Sequence, residues 1–143
     1  MPTLQKEIKI QAPIEEVFDY LAMPENLPQI WPSLYEVSDV KTLPKGGHSF
    51  MWFYNFAGHK VKGQAETAEY VPNKRIVDKA VGDVESTFAW TFYGENGTTE
   101  VKFKADYELP ERFIPAEEKP FAMRRTELEA ELLLENLKAK LEV

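Results

Sequence analysis

Hydrophobic and polar positions alternate from Thr3 to Gln11, with Leu4, Ile8 and Ile10 on one face and Thr3, Glu7 and Lys9 on the other. A period of two predicts a strand with one side toward a core. The period then lengthens. In "APIEEVFDYLAMPENLPQIWP", Val17, Phe18 and Leu21 recur at helical spacing behind Pro13, and Pro24, Pro28 and Pro32 punctuate the residues after Leu21. This predicts two short helices, near 14–21 and 25–30. Strand-like runs come next near 34–43, 48–57, 59–71, 75–81, 85–93 and 98–108. Turn signals separate them at Pro44-Lys45-Gly46-Gly47, Pro72-Asn73, Gly82-Asp83 and Gly94-Glu95-Asn96-Gly97. Spacing this tight predicts sequential antiparallel hairpins. From about Ala116 to Glu142 a glutamate-rich segment predicts a long helix, spanning roughly 117–141. Met123, Ala130, Leu134, Leu137 and Leu141 lie on one side of it, and Leu128 and Leu132 lie nearly opposite.

Strand, two short helices, six strands and a long helix make an α+β order. One curved antiparallel sheet of seven strands then needs cover for its concave face, and the terminal helix is the element long enough to supply it. Pairing follows from the turns, because opposed residues share a face. A tight turn at Ala57-Gly58 sets Phe56 against His59, Tyr54 against Val61, Trp52 against Gly63 and Phe50 against Ala65. The same register carried onward brings Ile76, Asp78, Ala80, Ser86, Phe88, Trp90, Phe92, Val101, Phe103, Ala105 and Tyr107 to that face, and leaves Lys102 and Lys104 to water.

The aromatic stretch "FMWFYNF" at 50–56 thus puts Phe50, Trp52, Tyr54 and Phe56 inward. These rings are either core packed on the long helix or the wall of a pocket. Small residues beside them, Gly63, Ala65, Ala80 and Ala105, leave volume. Tyr54, His59, Asp78 and Tyr107 add polar atoms to an apolar face, as small-molecule sites do. The expected ligand-binding set is Phe50, Trp52, Tyr54, Phe56, Gly63, Asp78, Phe88, Trp90, Phe103, Tyr107 and, from the helix, Leu128. Gly63→Leu is expected to fill vacant space opposite Trp52. Met51 and Phe53 fall on the outer face, as isolated surface hydrophobes or as a small association patch that admits a weak homodimer.

The whole sequence of 143 residues is read as one domain, long enough to bury roughly two thirds of its unfolded surface. A net charge of -7 sets its average field against phosphate backbones and anionic headgroups, which argues against nucleic acid. No stretch approaches a membrane span, the N-terminus lacks a signal-peptide pattern, and there is no cysteine. These features place the chain in the cytoplasm, without stable membrane insertion. His48 and His59 sit at opposite ends of an extended strand, roughly 30 Å apart at about 3.3 Å per residue, so they share no metal. No motif asks for a cofactor. Acid–base chemistry has three candidates in Asp78, His59 and Tyr54. Burial of Asp78 would raise its pKa and poise it as acid or base.

The order of elements, together with "IKIQAPIEEVFDYLAMPENLPQIWPS", "GHSFMWFYNFAGHKVKGQAETAEYVPNKRIV" and "ESTFAWTFYGENGTTEVKFKADYELP", resembles the polyketide cyclase and lipid-transport branch of the START/Bet v 1-like (SRPBCC) superfamily. The resemblance implies a helix-grip fold enclosing a hydrophobic cavity between sheet and long helix. It implies no particular reaction, since the fold hosts carriers, receptors and cyclases. Three functions stay open: binding or transfer of a hydrophobic small molecule such as a lipid, an isoprenoid quinone or a polyketide-like aromatic; a cyclase or dehydratase in the same cavity; and a protein-interaction module.

Overall fold

The computed structural model describes residues 1–142. Strand β1 (Thr3–Ile10) leads into helices α1 (Ile14–Ala22) and α2 (Leu27–Ile30), with a short 3-10 turn at Pro24–Asn26 between them. Six strands follow, β2 (Leu34–Thr42), β3 (His48–Phe56), β4 (His59–Val71), β5 (Arg75–Gly82), β6 (Ser86–Glu95) and β7 (Thr98–Tyr107), and then helix α3 (Lys119–Leu141). They form one antiparallel sheet in the order β1-β7-β6-β5-β4-β3-β2. The chain therefore climbs the sheet one hairpin at a time from β2, and β7 returns to close against β1.

Turn chemistry fixes the register. Ala57 and Gly58 both hold positive φ, 49° and 86°, the pair of left-handed residues that a two-residue hairpin turn requires. Phe56 then pairs with His59, Trp52 with Gly63 and Phe50 with Ala65. Asp78 pairs with Thr67 and with Phe88, and Trp90 pairs with Phe103. The sequence reading of the inner face holds through these strands. It did not anticipate bulges, which interrupt β4 against β5 between Thr67 and Glu69 and β2 against β3 at two places. An extra residue on one strand bends it, and the bends help the sheet wrap.

Cover for the concave face is shared, where the sequence reading assigned it to the last helix alone. Helix α1 starts behind Pro13 with Glu15 and Glu16 at its positive end, and it buries Val17, Phe18 and Leu21. Phe18 meets Phe92 edge-on at 5.1 Å and Tyr70 at 5.5 Å, closing one end of the sheet. Helix α3 has Pro120 in its first turn and Lys138 and Lys140 in its last, a distribution that suits its dipole. Its inward stripe is Ala122, Ala130, Leu133, Leu134 and Leu137. Met123, expected inside, is turned outward, and Leu128 and Leu132 are about half exposed. The C-terminal half of α3 is tied to the rest: Asn136 donates to the Ile30 carbonyl, Lys138 donates to the Lys9 carbonyl, and Glu142 accepts from the Gln11 amide. Lys6, on the inner side of edge strand β1, reaches Glu131 at 3.6 Å and Glu127 at 4.0 Å. No described helix is long and apolar enough to cross a membrane.

Candidate functional site

Between the sheet and the N-terminal half of α3 the packing does not close. A cavity there has about 90 Å³ open to the centres of water-sized molecules, several times the ~10–15 Å³ that a single water needs. Strand residues Phe50, Trp52, Tyr54, Phe56, Asp78, Phe88, Trp90, Phe103 and Tyr107 line it. Each alternates inward from a strand whose register the turns have set, and Ala65, Ala80 and Ala105 between them supply the room. Leu34 adds the start of β2, and from the other side come Trp31 and, on α3, Thr126, Glu129, Ala130 and Leu133.

Three residues expected at the site are not part of its lining. Gly63 is opposite Trp52 as expected, but it faces no open space: a Cβ there would overlap the Val81 carbonyl oxygen and the Trp52 ring. Glycine at 63 lets backbone and indole touch, so Gly63→Leu would collide where it was expected to fill. Leu128 is 46% exposed on the outer side of α3, because the helix presents Thr126, Glu129, Ala130 and Leu133 to the cavity. His59, the third acid–base candidate, is also outside the lining. Its ring is exposed at the hairpin tip and stacks at 5.1 Å on Phe113, from the loop that precedes α3, while Arg112 lies over the same Phe113 ring. On the outer face Met51 and Phe53 are half-buried, and Phe53 packs on the more exposed Tyr35.

The polar atoms fall into two groups. Asp78 is half-buried on the β5 wall, where one carboxyl oxygen accepts from the Thr67 hydroxyl at 2.8 Å and the other has no donor among the described residues. Burial pushes its pKa up against the opposing pull of the Thr67 bond and of nearby His48. The second group gathers at Tyr54. Glu129 receives the Ser33 amide at 2.7 Å and the Ser33 hydroxyl at 2.6 Å, pinning α3 to the start of β2. Tyr54 meets Glu129, Ser33 and Trp31, and burial followed by the Glu129 charge raises its phenol pKa strongly. A shallow outer recess adjoins this group, and Tyr54, Phe56, Thr126 and Glu129 line both spaces. Those four residues form the partition between cavity and surface. Trp52 presents a further polar atom, an indole N–H that is buried and finds no partner among the described residues.

Trp31 is the residue that sequence reasoning missed at greatest cost. It stands in the middle of the aromatic set, edge-on to Phe88 at 5.0 Å, to Phe103 at 5.8 Å and to Tyr54 at 6.4 Å. No periodicity singles out a lone tryptophan between two prolines. Glu129 was findable: Ala122, Thr126, Glu129, Leu133 and Leu137 follow helical spacing, so a glutamate sits on the apolar stripe. Among the described residues no three His, Asp or Glu side chains converge as metal ligands.

A curved antiparallel sheet gripping a long C-terminal helix over an apolar cavity defines a helix-grip fold. The chain belongs to the family described as polyketide cyclase/dehydrase and lipid transport, whose model matches residues 1–142. Among solved structures, the Zhui aromatase/cyclase from Streptomyces sp. R1128 superposes with a TM-score of 0.80 at 14% identity, over 97% of this chain and 92% of that one. A START superfamily protein from Mycobacterium smegmatis gives 0.76 at 14% identity over 97% and 96%, and the Aha1 dimer from Colwellia psychrerythraea gives 0.70 at 17% over 100% and 98%. At such identities the likeness is one of fold. A search of curated proteins finds no match.

Proposed function

We propose that the chain binds a hydrophobic small molecule in the cavity between the sheet and α3 and carries or shelters it there. The observation that supports this most is space left open among aromatic rings that could have packed together: Trp31, Trp52, Phe88, Trp90 and Phe103 surround a void in a domain with ample core elsewhere. Protein interiors pack to crystal density, so a void of this size is costly unless something uses it. A lipid tail, an isoprenoid quinone ring or a compact polyketide-like aromatic would meet matching apolar walls.

The test is a substitution that fills the space. Ala130→Leu keeps a good helix former on α3 and carries a longer side chain into the cavity. Apolar aromatics should quench or shift the fluorescence of the lining tryptophans and raise the wild-type Tm by mass action. Ala130→Leu should weaken both effects at least tenfold while melting cooperatively. Equal binding by the filled variant would count against this cavity as the site.

A second reading has its own observation. Asp78 offers a free carboxyl oxygen with a raised pKa on an apolar wall, the arrangement of a general acid or base in a cyclase or dehydratase. Asp78→Asn would then abolish turnover of a reactive ligand yet spare its binding.

A further inference from the structure

Among the described residues the cavity lining carries two carboxyl groups, Asp78 and Glu129, and no lysine, arginine or histidine. The nearest basic groups are occupied or stand apart. Lys6 is drawn to Glu127 and Glu131 on α3, His48 lies outside the lining beyond Thr67, and Arg125 belongs to the outer recess. Glu129 has both oxygens engaged by Ser33, whereas Asp78 keeps one oxygen without a donor among the described residues. The inner-face neighbours of Asp78 in the register, Phe88 opposite on β6 and Ala80 and Ala65 along β5 and β4, offer no hydrogen. An acceptor in such surroundings gains most from a donor that arrives with the ligand.

Resting on the reading of this cavity as a ligand site, we propose that it selects uncharged ligands bearing a hydroxyl donor for Asp78 and rejects free carboxylic acids of the same size. A ligand carboxylate would lose its water without meeting a cation, and would do so in the field of two wall carboxyls. An ammonium group would be drawn by the same two carboxyls, but Glu129 is already engaged by Ser33 and the cation would shed a tight hydration shell among mostly apolar walls. A hydroxyl needs little desolvation and satisfies the open oxygen. Free fatty acids are thereby set apart from alcohols, sterol-like hydroxyls and phenols as cargo.

A matched naphthalene series isolates the head group from the apolar body: 2-naphthylmethanol, methyl 2-naphthoate, 2-naphthoate and 2-naphthylmethylamine, titrated into the whole chain by calorimetry at pH 7.5. The alcohol should bind at least threefold tighter than the ester and at least tenfold tighter than the carboxylate. In Asp78→Asn, which keeps the Thr67 contact, the lead of the alcohol over the ester should fall toward unity. If that variant melts without cooperativity, the wild-type order alone decides. Carboxylate binding equal to the alcohol, tightest binding by the amine, or an alcohol lead unchanged in a folded Asp78→Asn would each overturn the selectivity and leave the ligand site standing. No heat and no change in Tm with any of the four would overturn the ligand site itself, and the selectivity with it.

Discussion

Gly63 and Gly82 face each other across β4 and β5, and neither has room for a side chain. At Gly63 the obstacle is a backbone carbonyl, which cannot rotate away as a flexible side chain could. Gly63→Ala should therefore destabilise by about 2 kcal/mol or more, in the range of overpacking, with loss of the Trp52 environment in near-UV circular dichroism. An alanine tolerated within about 0.5 kcal/mol would show that the strands can part there. Asp78 poses a different residue-scale question, that of the cost of its charge. Its folded pKa lies above the unfolded value near 4, so within that window the native chain holds more protons than the unfolded chain, and stability falls as pH rises through it. Above that window the wild type bears the whole deficit, and Asp78→Asn bears none at any pH. The variant should melt higher at pH 7, by roughly 2–4 °C per kcal/mol recovered in a chain of this size, with the advantage fading toward pH 4. Because His48 shares the field of Asp78, the comparison belongs also in a His48→Gln background. A melting difference that ignores pH would mean that the Thr67 bond already compensates the charge.

Elements differ in how plainly they announce themselves. The β3–β4 hairpin is governed by two residues, and one of them is an alanine held at φ 49°, a region that costs a side chain with a Cβ about 1–2 kcal/mol. Ala57→Asn keeps the turn and relieves part of that strain, so chemical denaturation should find the variant more stable by about 0.5–1 kcal/mol. A lower midpoint would mean that Ala57, which lines the outer recess, is needed there for packing. Because the turn is so short, the register of the strands beside it is legible in the sequence. One slipped residue would have sent Trp52, Trp90 and Phe103 to water. Helix α3 gave no such constraint. Its glutamates are spread around most of its circumference. The apolar pattern is right for Ala130, Leu134 and Leu137 but misplaces Met123 and Leu128, which lie outside, and gives no weight to Glu129, which lies inside. The position of Trp31 depends on how α2 docks, and that is a tertiary fact with no local period. The Gly63 contact was illegible for a related reason: a missing side chain can mean open space or close approach, and sequence does not distinguish them.

At the scale of the molecule, α3 is held unevenly. Hydrogen bonds and the Lys6 pairs secure it to β1 and to the end of α2, while its first half spans the cavity and is pinned mainly where Glu129 meets Ser33. The sheet closes its far end with α1 and leaves the near end to whatever the cavity holds. That void makes the protein larger folded than it need be. About 90 Å³ per molecule amounts to roughly 50 mL/mol, comparable to the whole volume change that small proteins show on unfolding. Hydrostatic pressure should therefore unfold the ligand-free chain readily, and Ala130→Leu or a bound apolar ligand should raise the pressure midpoint even where heat barely separates the forms. High-pressure fluorescence of the lining tryptophans would measure it, and an unfolding volume unaffected by filling would mean that water already occupies the space. Volume, alongside melting temperature, is the property by which this fold would reveal whether it is carrying anything.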